Sequence, residues 1–69
     1  MYFAFRNKKT RKYISGTDFR YNPPHQIAAD KYTPPKLFTE HQIATEIIVR
    51  KINLERYEIV PVNLIETSK

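Results

Sequence analysis

The sequence predicts a small α+β domain: an antiparallel sheet of three to four strands with one helix packed on a face, in the order β-β-loop-β-α-β. Three observations carry this expectation. Aromatic and β-branched residues cluster at strand spacing near both ends, in residues 2–6 and 57–65. Between them, residues 40–51 repeat apolar side chains at helical spacing. Proline pairs at 23–24 and 34–35 bracket a stretch too punctuated to belong to either pattern. The 69 residues fit a single domain, 1–69.

The first strand, 2–6, sets Phe3 and Phe5 on one face and Tyr2, Ala4 and Arg6 on the other. Residues 7–10 form a turn, and 11–15 return as a second strand that closes a hairpin with a cationic tip. Gly16, the only glycine, is expected to end that strand and is free to take a positive φ. Residues 17–35 read as a long proline-rich loop, with a short extended piece near Phe19 and Tyr21 and room for one helical turn from Ile27 to Lys31. A brief strand at 36–38 brings Leu37 or Phe38 to the core. Thr39 and Gln42 have the spacing of a capping box. Glu40 in the first turn and Arg50 and Lys51 in the last complement the helix dipole. Ile43, Ala44, Ile47, Ile48 and Ile52 make the apolar stripe, and Asn53 is a suitable stop. Pro61 makes the last strand an edge or bulges it, because proline cannot donate to a ladder. The tail, 66–69, is expected to fray. Sheet and helix together should bury Phe3, Phe5, Ile43, Ile47, Ile48, Ile59 and Leu64.

Composition narrows the function. No cysteine is present, so disulfides, thiolate metal sites and cysteine nucleophiles are excluded, and a reducing cytoplasm is the expected setting. Apolar runs are too short for a membrane span. His25 and His41 show no ligand spacing, so no metal is expected. One glycine cannot build a phosphate-cradling loop, and no cofactor is expected. Ser15 and Ser68 carry no nucleophile signature, and a domain this short has little room to orient a catalytic triad, so no enzyme is expected.

The net charge of +5 is unevenly spread. Residues 1–38 hold eight Lys/Arg against two Asp, or +6, and residues 39–69 hold four against five Glu, or −1. Such a field attracts polyanions or acidic protein surfaces, although a solvated tip that keeps the chain soluble would look the same in sequence. Two binding surfaces are candidates. Tyr21, Pro23, Pro24, Ile27, Tyr32, Pro34 and Pro35 could form a protein-binding surface, because tyrosine offers contact area with few rotors and proline limits the entropy lost on docking. The same aromatics could instead fold back and cap the small core. Arg6, Lys8, Lys9, Arg11, Lys12, Tyr13 and Arg20 form the nucleic-acid candidate, with Tyr2 and Tyr13 offering rings for base stacking. No established nucleic-acid-binding motif accompanies them. A homodimer through the edge of the last strand is a third expectation.

The opening strand with Asn-Lys-Lys-Thr, the Lys-Tyr strand ending in Ser-Gly, the Leu-Phe-Thr leading into a helix, and Arg-Tyr-Glu-Ile-Val-Pro-Val resemble small uncharacterised proteins encoded by phages and prophages of low-GC Gram-positive bacteria. The matching pieces are residues 2–16 and 37–62, well over half the chain. The resemblance implies a fold and a genomic setting, and no activity. Residues 17–35 exceed the connection expected in such proteins, which marks this block as a specialisation.

Overall fold

The computed structural model describes residues 1–62. The elements run β1 (Tyr2–Asn7), β2 (Ile14–Asp18), β3 (His25–Ala28), β4 (Phe38–Thr39), α1 (Glu40–Val49) and β5 (Tyr57–Val62). They form an antiparallel three-stranded sheet, β4-β1-β5, and a separate two-stranded sheet, β2-β3, with one helix. The α+β class is as the sequence indicates. The end of the last predicted strand, with Leu64 and Ile65, and the tail 66–69 lie outside the described residues.

β1 is central because its residues are the ones that can be buried from both sides. Ala4 and Phe5 are fully buried. β5 pairs along the whole of β1, from Tyr2 opposite Val62 to Asn7 opposite Tyr57, and β4 pairs Phe3 with Phe38 on the other edge. β5 fills one edge of β1, and β4 takes the Tyr2–Phe3 end of the edge that a hairpin partner would use, so no full ladder with β2 forms. Their contact shrinks to one bridge, Arg6 opposite Tyr13, closed by the Asn7 N–H donating to the Lys12 carbonyl at 2.8 Å. The expected second strand at 11–15 is therefore displaced: β2 starts at Ile14 and pairs with β3 instead.

That pairing corrects two further expectations. His25, Gln26, Ile27 and Ala28 form a strand inside the proline-bracketed block, where one helical turn was expected from Ile27. Ile27 suits extended backbone, and β2 supplies the ladder that holds these residues in it. Gly16 does not end β2 but lies within it, opposite Ile27, with a negative φ and a register shift between Ile14 and Gly16. A glycine inside a strand commonly marks such a bulge.

The core holds Phe5, Ile14, Phe38 and Ile52, with Ile43, Ile47 and Tyr57 packed against it. The Phe5 and Phe38 ring centroids lie 5.4 Å apart, tilted by 55°. Each such side chain contributes about 1.5–3 kcal/mol on full burial. Of the expected core, Ile48 is 77 % and Ile59 41 % exposed, because the helix presents only its Ile43/Ile47 side to the sheet and lies against β4 and β1 rather than β5, which leaves Ile59 uncovered although it is level with Phe5. Ile14, absent from that expectation, takes their place at the junction of the two sheets.

The helix begins as the sequence indicates, with the Thr39 N–H donating to Gln42 Oε1 at 3.0 Å. It ends at Val49, so Arg50 and Lys51 fall just past the last turn. The Lys51 N–H donates to the Ile48 carbonyl and the Ile52 N–H to the Ile47 carbonyl, with Lys51 at φ 52°. This is a Schellman ending, whose left-handed position is usually glycine. It turns the chain so that Ile52 enters the core beside Ile47.

Candidate functional surface

The proline-bracketed block is built onto the fold at several points. The Ala29 N–H donates to the Tyr13 carbonyl at 2.7 Å, and the Lys36 N–H to the Ile14 carbonyl at 3.0 Å. Between these anchors Asp30 Oδ1 accepts from the Tyr32 N–H, the Thr33 N–H and the Thr33 hydroxyl at 2.8–2.9 Å. Those bonds hold the Asp30 carboxyl below the usual carboxylate range. The Asn22–Pro23 peptide is cis.

The seven protein-binding candidates stay largely at the surface. Tyr32 is 80 % exposed, with the Lys31 ammonium 5.2 Å from its ring centroid. Tyr21 is 48 % and Ile27 47 % exposed; Pro23, Pro34 and Pro35 are exposed, and Pro24 is half-buried. Tyr21 stacks flat on His25, centroids 3.9 Å apart and planes within 3°. None of the aromatics caps the core cluster. Phe19, 55 % exposed, adds to the apolar surface of this block.

β3 also presents an open edge. Ala29 N–H bonds toward β2, and Ser15 Oγ donates to the Ile27 carbonyl at 3.2 Å, so odd-numbered residues face β2. By the alternation of an antiparallel strand, the N–H and C=O of Gln26 and Ala28 face away. No other strand pairs with β3 among the described residues. The opposite face of this sheet is fixed to the helix end: Gln26 Nε2 donates to the Arg50 carbonyl at 2.8 Å, and Arg50 donates to Thr17 Oγ1 at 3.0 Å and Glu46 Oε1 at 2.7 Å. The edge of β5 differs. The Lys8 N–H bonds to the Arg56 carbonyl, which puts even-numbered residues of β5 toward β1 and Pro61 on the outer edge, where it withholds a donor.

The nucleic-acid candidates divide into two groups. Arg6 and Arg11 both bridge Glu58, Arg11 at 3.2 Å, and the Arg6 guanidinium lies 5.8 Å from the half-buried Tyr13 ring. The Glu58 carboxyl is held below its ordinary range, first by the Arg6 hydrogen bond. Arg20 bridges Asp18 at 2.8 Å and holds that carboxyl down at about 2. Lys8, Lys9 and Lys12 are exposed and have no carboxylate partner among the described residues. Tyr2 and Tyr13 do not form one platform, since Tyr2 lies at the opposite end of β1 from the Arg6–Tyr13 bridge.

Two residues absent from the sequence candidates join the free lysines. Arg56 is the only arginine without a carboxylate partner among the described residues. It lines an open groove of about 490 Å³ with Asn7, Lys8, Lys9, Thr10 and Glu55. It also lines a second groove, of about 550 Å³, that includes His25, Lys51 and Tyr57. Splitting the chain into halves hid Arg56 and Lys51 in the nearly neutral part. The signal that could have found them is the β1–β5 pairing, which brings the turn before β5 beside the turn after β1.

No family model, no curated protein and no solved structure matches this chain. Among the described residues, no helix is long and apolar enough to cross a membrane.

Proposed function

We propose that the chain is a protein-binding module that takes an extended segment of its partner onto the open edge of β3. The observation that carries this reading is that edge: Gln26 and Ala28 each direct a backbone donor and acceptor outward, next to exposed Ile27. Strand addition draws affinity from main-chain hydrogen bonds and specificity from neighbouring side-chain contacts. Tyr21, Pro23, Pro24, Tyr32, Pro34 and Pro35, on either side of β3 in sequence, supply such contacts, and the block is already ordered, which limits the entropy cost of docking. The edge of β5 is the weaker template, because Pro61 interrupts it.

The test is selection from a random peptide library, with wild-type protein and the Ala28→Pro variant as parallel baits. The variant lacks one outward donor. Selected peptides should bind the wild type, slow amide exchange at Gln26 and Ala28, and bind Ala28→Pro at least tenfold more weakly, as expected when main-chain pairing carries the affinity. Equal binding by a folded Ala28→Pro, or protection confined to other residues, refutes the reading. Protection of the same amides that depends on protein concentration would make the occupant a second copy of the chain.

A further inference from the structure

The second surface goes beyond the strand-addition reading. We infer that the end of the molecule formed by the turn after β1 and the turn before β5 binds the phosphodiester backbone of a single-stranded nucleic acid, with the Tyr21–His25 stack as a platform for its bases.

Four of the five arginines are held by carboxylates: Arg6 and Arg11 by Glu58, Arg20 by Asp18, and Arg50 by Glu46. Arg56 is the exception, and it is the residue shared by the two grooves. Lys8 and Lys9 join it on one side and Lys51 on the other. Glu55 is the sole acidic residue in the lining of either groove. The result is a continuous cationic track around Arg56, open enough for a chain and too open to enclose a small anion.

Placement of Lys51 is a second, independent observation. It holds the left-handed position of the Schellman ending, φ 52°, where glycine is the favoured residue. Its side chain makes no hydrogen bond or ion pair among the described residues. A lysine there sets a charge on the track at a conformational cost that glycine would remove. Arg11, at φ 65°, is the other non-glycine residue so placed among the described residues, but Glu58 holds its side chain, whereas that of Lys51 is free for a ligand.

The aromatic platform favours a single strand over a duplex. His25 lines the second groove beside Lys51 and Arg56, and Tyr21, 48 % exposed as a residue, lies flat on it. Unpaired bases stack on such rings, whereas a duplex hides its base faces. The nearby helix presents Ile48 and Val49 outward, apolar side chains that offer no donors to the base edges of a duplex. An acidic protein segment would use the cations but gain little from the stacked rings.

The test is fluorescence anisotropy of a labelled oligo(dT), with the same strand in a duplex and with polyglutamate as competitors. If Lys8, Lys9, Lys51 and Arg56 each meet one phosphate, log K should fall with log salt at a slope of about −3, or roughly fifty-fold in affinity between about 50 and 200 mM. The Lys8→Gln/Lys9→Gln/Arg56→Gln variant, exposed at every site, should lower that slope by about 2, and Lys51→Gly by about 0.7 without loss of thermal stability. Tyr21→Ala should weaken binding roughly fivefold or more at unchanged slope. Binding that is insensitive to salt, or that the folded triple variant retains, overturns the inference. Polyglutamate or duplex competing as well as oligo(dT) also overturns it, in favour of an acidic protein or double-stranded ligand. Ala28→Pro should leave oligo(dT) binding unchanged, so failure here and failure of the β3 reading are separable.

Discussion

Lys51→Gly should make the protein more stable, although it deletes a charged side chain at a bend beside the core. Lys51 sits at φ 52°, and a left-handed residue with a Cβ costs about 1–2 kcal/mol. Glycine relieves that strain but leaves the unfolded chain more entropy, which offsets about 0.5–1 kcal/mol. The Lys51 ammonium has no partner among the described residues, so no side-chain contact is lost with it. The backbone bonds of the turn, from the Lys51 N–H to the Ile48 carbonyl and the Ile52 N–H to the Ile47 carbonyl, persist with glycine. The net gain is about 0.5–1 kcal/mol. In a domain of this size that raises Tm by about 2–8 °C. Thermal unfolding followed by far-ultraviolet circular dichroism, checked by urea denaturation at constant m, measures it. A lowered Tm would refute the reasoning, since it would mean that the Lys51 side chain makes a stabilising contact or that the helix ends differently.

Other outcomes follow from particular contacts. Gly16→Ala should be neutral to stabilising by up to about 1 kcal/mol in urea melts, because φ is not positive and an added Cβ meets nothing within 4 Å. Phe38→Ala should cost about 3–5 kcal/mol, much of the roughly 3–10 kcal/mol available to a chain this short, and abolish a cooperative thermal transition. Arg50→Ala should cost about 1.5–3 kcal/mol by urea denaturation, since its half-buried guanidinium bonds Glu46 and Thr17 and lies 5.3 Å from the Phe38 ring centroid. Acid should destabilise the fold: Asp18, Asp30 and Glu58 titrate lower folded than unfolded, so their contribution is complete above the ordinary carboxylate range and disappears as pH falls toward 2. A Tm flat from neutral pH down to that limit would contradict this; Asp18→Asn should shrink the acid-dependent part.

What the sequence made legible was local. The helix start at Thr39–Gln42, the strand character of the two ends, and Phe5 and Ile47 as core residues all follow from spacing and side-chain type. What it hid depended on partners. Residues 11–15 have strand character, yet β4, arriving from residues 38–39, takes Tyr2 and Phe3 on the edge they would need, and only the Arg6–Tyr13 bridge is left to them. The β3 strand was obscured for the same reason: His25, Gln26, Ile27 and Ala28 carry little strand preference, and only the free edge of β2 gives them a ladder. Gly16 misled because a lone glycine suggests a turn, whereas here it accommodates a bulge.

Charge shows the same dependence with a consequence for binding. By sequence, the positive field belongs to residues 1–38. The β1–β5 ladder redistributes it. It lays Glu58 against Arg6 and Arg11, which cancels part of the field where the hairpin was expected to be most basic, and it brings Arg56 to Lys8, where little opposes them. A cation held by a carboxylate must break that pair before it can serve a phosphate, so its contribution to anion binding is smaller than that of a free one. The productive charge is therefore the remainder after internal pairing. The part of that remainder gathered at the two grooves, Lys8, Lys9, Arg56 and Lys51, draws on both halves of the chain and exists only in the folded protein. Oligo(dT) affinity should then fall with unfolding in urea along the same curve as ellipticity. A cationic segment acting as a disordered tether would instead keep binding after the ellipticity is lost.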